Sequence, residues 1–516
     1  MVSKVVRGSA ITLIGNVIFR FGGWFYRFIL ATLLGPVAYG IFGLVTPFQG
    51  IFQILSSGGL PPAIAKYVSE YNALNQKDCA SHVVYTSLKI MIILGLLFGV
   101  IMTFLIAPIL TVYFKKPEVL LPLQIVGLII QFSAIVGGFR GAFQGIYKMG
   151  YIVYTKGIEQ LSMILFSTLL VILGLSTFGA VLGSVFAFII ASVSAIIIFK
   201  KYLNDYFKPP SLNSKLTIAD EFKLAKKLIF YAIPVSITGL AEMGIYTICT
   251  MIMGVFLASS SIGIFIAADP IARLPLIISV SLSTTILPAV SEAYATKNKY
   301  ALNRYVNNSY KYGMFFVIPI CVGIAIFSKE ILGLIFFTNP TYMQGALSLS
   351  ILVIGMTFYS IYAISSSIVQ GIGNPKIPMY LLILGVLITF FLGWYLIPIY
   401  GIVGGAIATT VSSIIMMIPM FLIQFKITKT KAPYEFIIKI ILSSLMMIIP
   451  YIILPKNSFG LIIGMIICPV IFLIGVTLLK TLDLEDIEWF KNIFKKTGFL
   501  KKYIYRVLDL MGKYSN

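Results

Sequence analysis

Arg20 and Arg27 stand in a run of otherwise uncharged, mostly apolar residues, with Trp24 between them. Seven positions apart on a helix, the two arginines are about 20° from eclipsed and share one face. Guanidinium forks match phosphate oxygens, often bidentately, so such a stripe suits a phosphate-bearing anion. The alternative is that one arginine snorkels to an interface or pairs with an acid elsewhere. Glu242 sits mid-run with no basic residue within four positions. It calls for a coupling ion, a proton or a partner on another helix. Asp269 and Arg273 are spaced to pair along a helix, and Pro270 between them is expected to kink it. That pair suits either a hinge beside a wet cavity or simple self-neutralisation. Lys156 and Glu159, three apart, read as a local interfacial pair.

These charges are informative because of what surrounds them. The chain has 516 residues, of which 59% are hydrophobic and 11% charged, and its mean hydropathy is +1.00. Soluble domains carry about 25% charged residues. Apolar runs near 20 residues recur from end to end, each long enough to cross a core about 30 Å thick. An Arg, Lys or Asp at the centre of such a helix costs about 2.5–3.5 kcal/mol on the insertion scale. The expected fold is therefore an all-α polytopic membrane protein with about 14 transmembrane helices. Expected spans are 11–34, 41–62, 86–110, 119–141, 153–175, 179–199, 228–252, 262–288, 310–328, 346–370, 377–397, 402–424, 435–454 and 459–479.

The net charge of +22 does not indicate nucleic acid. With both termini cytoplasmic, most Lys and Arg fall in cytoplasmic loops, and Lys115, Lys116, Lys329 and Lys456 are left outside. That asymmetry sets the expected orientation of a multi-pass protein of the cell (plasma) membrane. Cys79, Cys249, Cys321 and Cys468 are far apart, and His82 is the one histidine, so no metal site and no cofactor are expected.

Short motifs return at nearly one offset. Gln144-Gly145-Ile146 matches Gln370-Gly371-Ile372, and Pro62-Ala63-Ile64 matches Pro288-Ala289-Val290. Gly40-Ile41-Phe42 matches Gly263-Ile264-Phe265, and Gly179-Ala180-Val181 aligns with Gly401-Ile402-Val403. This collinearity implies a duplicated six-helix unit. An even number of helices makes the copies parallel, the arrangement of two lobes about an axis along the membrane normal. The expected organisation is an N-lobe at 1–199, a cytoplasmic linker at 200–227, a C-lobe at 228–424, two further helices at 435–479 and a basic amphipathic tail at 480–516. Thr217 and Asp220 are placed to cap a short surface helix in the linker. The tail, with aromatics among its basic residues, is expected on anionic inner-leaflet lipids.

The duplication, Ser69-Glu70-Tyr71, and Ala268-Asp269-Pro270-Ile271-Ala272-Arg273-Leu274-Pro275 followed by Ile286-Leu287-Pro288 carry a recognisable pattern. The chain resembles the polysaccharide-biosynthesis flippases of the multidrug/oligosaccharidyl-lipid/polysaccharide exporter superfamily, relatives of lipid II flippases and sporulation protein B type proteins. The resemblance implies alternating access by two lobes. It implies a polyprenyl-(pyro)phosphate-linked oligosaccharide as cargo, moved from the cytoplasmic to the external leaflet, and a groove for its lipid tail in 435–479. The first-helix functional arginines of the lipid II flippases match Arg20 and Arg27; with Arg273 these are the expected phosphate ligands, and Glu242, Asp269 and Trp24 are expected in cavity or coupling roles. Arg273 stands where the lipid II flippases carry Glu, which argues for a cargo other than lipid II. Na⁺ or H⁺ is the expected coupling ion if one is used, and a monomer is expected. The rival readings are a Na⁺- or H⁺-coupled drug/cation antiporter of the same superfamily and a membrane glycan polymerase. An antiporter should favour acids over arginines in its cavity. A polymerase should carry a DxD motif or a large external loop, and the sequence has neither.

Overall fold

Long apolar runs interrupted by Gly-Pro and Pro-rich turns fold as helices joined by tight reversals, because a backbone in hydrocarbon must satisfy its own hydrogen bonds. The structure is a computed structural model that describes residues 2–203, 206–207, 217–483, 486–488, 491 and 505. Its helices are α1 (Val2–Ser57), α2 (Leu60–Ala73), α3 (Lys77–Val100), α4 (Ala107–Phe114), α5 (Leu120–Gly145), α6 (Met149–Leu170), α7 (Ser176–Ile198), α8 (Ile218–Phe256) and α9 (Ser259–Ala272). They continue as α10 (Leu276–Ala295), α11 (Lys299–Ile326), α12 (Ser328–Ile335), α13 (Ala346–Gly371), α14 (Lys376–Tyr400), α15 (Ile402–Thr428), α16 (Tyr434–Leu445), α17 (Ile448–Ile453) and α18 (Ser458–Leu478). No strand occurs among the described residues, and the all-α polytopic fold is as expected.

Among the described residues twelve helices are long and apolar enough to cross a membrane, against about fourteen expected. The difference arises at two places, where residues 18–72 and 149–203, each expected to hold two spans, form one continuous 55-residue segment. A straight helix of that length would run about 80 Å, far beyond a ~30 Å core. Neither segment is straight. Gly35, at φ 68°, bends α1 just before Pro36, a backbone angle that glycine adopts without strain. The Tyr26 and Phe42 rings consequently lie 6.2 Å apart, whereas straight helix would separate those residues by about 24 Å. Gly174, at φ 89°, turns α6 into α7.

The single span expected over 262–288 is broken, but not at Pro270. Pro270 lies inside α9, and the chain breaks at 273–275. Pro275 has no N–H for the Ile271 carbonyl, and the Leu274 N–H takes it instead at 3.2 Å. The cap in the linker is as expected, with Thr217 Oγ1 accepting from the Asp220 N–H. No separate surface helix follows it. Residues 218–227 are the first turns of α8, because nothing between Lys227 and Leu228 stops the helix. The rest of that linker lies largely outside the described residues.

Packing divides the chain into two compact units: Met1–Ala267 with Gly393–Ile402, and Ala268–Leu392 with Val403–Asn516. These ranges differ from those expected for the lobes, since α8 packs on α1, α2 and α3 within the first unit. In that unit α6 and α7 form a close hairpin, and α2, α3, α5 and α7 surround a core that includes Met91, Phe143 and Phe207. A backbone crossing joins α1 to α9. A Cβ at Gly40 would lie 1.8 Å from the Ser259 carbonyl oxygen, and one at Gly263 would lie 1.9 Å from that of Pro36. Gly40 matches Gly263 in the sequence repeat, and Pro36 matches Ser259 at the same spacing. Contact between equivalent residues in reciprocal fashion is what a local twofold axis through this crossing produces. Small residues let helix backbones approach this closely.

In the second unit α11 packs on α10, α13 and α16, and α16 on α18. The start of the C-terminal tail is held there by acids rather than by its basic residues. Lys311 of α11 donates to Asp483 and Asp486, each at 2.9 Å, and the Tyr312 hydroxyl donates to Asp486 at 3.4 Å. The two aspartates also accept from each other's backbone N–H. Burial pushes the Asp486 carboxyl up. Burial also acts to raise Asp483, but Lys311 and the hydrogen bonds from Asp486 hold it below its ordinary value. Most of the expected amphipathic tail lies outside the described residues.

Two outcomes test this packing. Gly40→Val should lower the thermal midpoint in detergent, by an amount equivalent to about 1–3 kcal/mol or more, because the obstacle is backbone. Gly150→Ala, with nothing within 4 Å of the added methyl, should leave it unchanged. Asp486→Ala should speed hydrogen exchange in 480–488 while leaving α11 protected, since it removes a nearly buried anchor of that segment.

Candidate functional site

The first half of α1 is held by its own packing face. A Cβ at Gly15 would touch Val153, and one at Gly22 would lie 3.2 Å from Gln160, so small residues seat this face on α6. Tyr26, 5% exposed, completes the contact, with its hydroxyl 3.2 Å from Ser167 Oγ and 3.4 Å from Ser184 Oγ. Gly15, Gly22 and Tyr26 share one side of the helix at 100° per residue, and Arg20, Trp24 and Arg27 lie on the other. Both arginines are exposed, and neither has a hydrogen-bond or ion-pair partner among the described residues. Trp24 is half-buried and stacks on Phe28, with ring centroids 6.0 Å apart. The expected stripe is present, and the packing of α1 aims it away from α6 and α7.

Glu242 reaches its place through the second half of α1. Gly50 lies against Met243, Ile54 against Gly239, and Gly59 against Ala232 and Ser236, so α8 runs antiparallel to that half. Glu242 sits on the flank of this contact stripe, exposed, and also without a partner among the described residues. Arg20, Arg27 and Glu242 are therefore unneutralised charges on helices long and apolar enough to span a membrane.

Other charges are resolved by pairing. Arg273 Nη2 lies 2.5 Å from Asp269 Oδ1, with both side chains largely buried in the second unit. Arg273, expected among the phosphate ligands, is thus engaged by Asp269 one turn back, and this favours self-neutralisation for the pair. The local pair expected between Lys156 and Glu159 does not form. Glu159 binds Arg140 of α5 at 2.7 Å, and Arg140 Nε also donates to Thr155 Oγ1 at 3.1 Å. The i, i+3 spacing suggested a partner on the same helix, whereas the fold brings a planar donor from the neighbouring one. Arg140 at the end of its run was the signal for it.

The second unit also contains an apolar groove of about 460 Å³ between α11 and α18, with Met447 in its lining. Phe315, Phe316, Ile320, Phe327, Met465 and Phe472 line it. Gly464 opens it beside Phe327, where a Cβ would lie 2.5 Å from the ring. The resemblance pointed to 435–479 for such a groove; half of its wall comes from α11.

The family model described as "Polysaccharide biosynthesis protein" matches residues 5–294, and a second, MatE, matches 234–395. An uncharacterized membrane protein of Methanocaldococcus jannaschii, MJ1375, is 29% identical over 81% of this chain and 98% of its own length. The lipid II flippase MurJ of Bacillus subtilis is 22% identical over 87% of each chain. A probable low-salt glycan biosynthesis flippase of Haloferax volcanii, Agl15, is 30% identical over 31% of this chain and 34% of its own. In structure, the fold matches that of a lipid II flippase MurJ in an inward closed conformation. The TM-score is 0.71 at 21% identity, over 92% of this chain and 98% of that one. It also matches an inward-facing multidrug resistance MATE family transporter, with a TM-score of 0.67 at 16% identity over 78% and 93%.

The Arg140–Glu159 pairing has a direct consequence. Arg140→Ala strands a carboxylate that is 21% exposed and should cost about 3 kcal/mol, read as a lower thermal midpoint. Arg140→Leu with Glu159→Leu should recover most of that loss. Lys156→Ala should cost much less, since its neighbour is already paired.

Proposed function

The chain belongs to the polysaccharide biosynthesis protein family, and from that premise we propose that it is a flippase. Its cargo is a polyprenyl-phosphate- or pyrophosphate-linked oligosaccharide, which it carries from the cytoplasmic to the external leaflet by alternating access. The observation that supports this reading most is the pair of unpartnered arginines, Arg20 and Arg27, on the open face of α1. Two such charges on a spanning helix require water or an anion, and their fork geometry suits phosphate oxygens. A saccharide cannot cross hydrocarbon unaided, so the cargo needs a wet, cationic path. The apolar groove between α11 and α18 would hold the prenyl chain. The distribution of Lys and Arg favours cytoplasmic termini. With the inside negative, outward movement of two negative charges gains about 4.6 kcal/mol per 100 mV.

Glu242 supports a second reading, a Na⁺- or H⁺-coupled antiporter for cationic drugs, in line with the MatE match. An unneutralised carboxylate suits a cation or proton. In the flippase reading the same residue serves coupling or shapes the cavity.

Transbilayer movement of a labelled polyprenyl-pyrophosphate oligosaccharide in proteoliposomes separates the two. Wild type should move it, and Arg20→Ala and Arg27→Ala should each slow it about 10- to 100-fold, the loss of one charge-assisted contact of about 1.5–3 kcal/mol. Their folding should be unchanged. Failure to move several saccharides, together with ion-driven export of a cationic dye that Glu242→Gln abolishes, would establish the antiporter.

A further inference from the structure

A second cationic site lies in the first unit, apart from the arginine stripe. Where α6 begins and the chain leaves α7, a groove of about 770 Å³ is lined by Lys148, Tyr151, Tyr154, Ser194, Lys201 and Tyr202. Tyr151 and Tyr202 stack with ring centroids 6.0 Å apart, and Lys201 Nζ lies 5.5 Å from the centre of the Tyr202 ring. Among the described residues no carboxylate lines the groove. Among the described residues neither lysine has an ion-pair partner. Two ammonium groups beside three phenols and a serine hydroxyl form a mouth rich in hydrogen-bond donors, with no anion among the described residues that line it.

Below the mouth the surface becomes hydrocarbon. Tyr154, Leu161 and Leu165 share one exposed face of α6. Ile197 and Val193 share one exposed face of α7. The hairpin is antiparallel, with Ser167 Oγ donating to the Ala180 carbonyl at 2.8 Å. Both apolar faces therefore run from the lysines toward the turn at Gly174. A charged mouth above exposed aliphatic walls has the polarity of a phospholipid. The face of α6 that seats α1, through Val153 and Gln160, is about 100° away from Tyr154 and Leu161. The arginine stripe points away from α6 altogether.

The geometry points to a site for a resident anionic phospholipid, its phosphate between Lys148 and Lys201, its glycerol region against the tyrosines and its acyl chains along the α6–α7 faces. Basic pockets between membrane helices recognise such headgroups. The occupant is a lipid rather than cargo because the groove opens on an exposed apolar surface and lacks the arginine forks.

Native mass spectrometry of the full-length protein in nonionic detergent, titrated with phosphatidylglycerol or with phosphatidylcholine of the same chains, tests this. Wild type should retain phosphatidylglycerol preferentially. Lys148→Gln with Lys201→Gln should cut the preference about 25-fold, from roughly fivefold per lysine. Lys148→Arg with Lys201→Arg should keep it, as should the control Lys297→Gln with Lys299→Gln. Equal retention of both lipids would overturn the proposal, as would unchanged retention in the first double variant or an equal loss in the control. Displacement of phosphatidylglycerol by millimolar inorganic phosphate would make the groove a simple anion site. Displacement by equimolar polyprenyl phosphate would make it a cargo site. Either would also overturn a resident lipid.

Discussion

An ionised side chain on a membrane-spanning helix must meet an opposite charge, water or a ligand, and most of what is distinctive in this chain follows from how each charge meets that demand. Arg140 and Glu159 meet it across α5 and α6, and Asp269 and Arg273 within one turn. Lys311 meets it with two aspartates that follow α18. Arg20, Arg27 and Glu242 do not meet it with any described residue. Their exposure is not accidental. Tyr26 and the glycines of α1 bind the opposite face of the helix to α6 and α7, so the arginines are turned outward by the same packing that stabilises the hairpin. The packing fixes the helix face that carries the arginines, while their side chains stay exposed.

The two backbone crossings of small residues give the scaffold its form. At Gly40 and Gly263 the backbones touch with no room for a side chain on either. Because these glycines are equivalent in the sequence repeat, the contact relates the start of one copy to the start of the other. Gly183 against Ser167 seats α7 on α6 in the same manner. Away from these crossings the backbone departs from regular helix at the glycine and proline breaks at 35–36, 174–176 and 273–275.

Much of this was legible in the residues. Apolar runs mark the helices because hydrocarbon thickness fixes their length, and the arginine stripe follows from helical periodicity alone. The repeated Gly-Ile-Phe motif pointed to a duplication. What was not legible depended on distant segments. Lys156 and Glu159 looked like partners because spacing along one helix is visible and the approach of Arg140 is not. Pro270 was expected to kink its helix, but whether a proline goes on to break a helix depends on what else can take the orphaned carbonyl. The break came at Pro275, where Leu274 takes it. Residues 218–227 read as a separate surface helix because Thr217 and Asp220 are placed to cap an amphipathic stretch, yet no backbone signal ends it before α8 continues. Asp483 and Asp486 were hidden in a stretch whose overall charge is basic.

The central claim is that the stripe of Arg20 and Arg27 receives the phosphates of a lipid-linked anion. The most direct measurement is the equilibrium affinity of the purified protein for a polyprenyl pyrophosphate and for the corresponding uncharged polyprenol, in wild type and in Arg20→Ala with Arg27→Ala. The account predicts that wild type prefers the pyrophosphate by at least about 100-fold, as expected for two charge-assisted contacts, and that the double variant binds both lipids alike. Equal affinity of wild type for the two lipids, or an undiminished preference in the double variant, would contradict it.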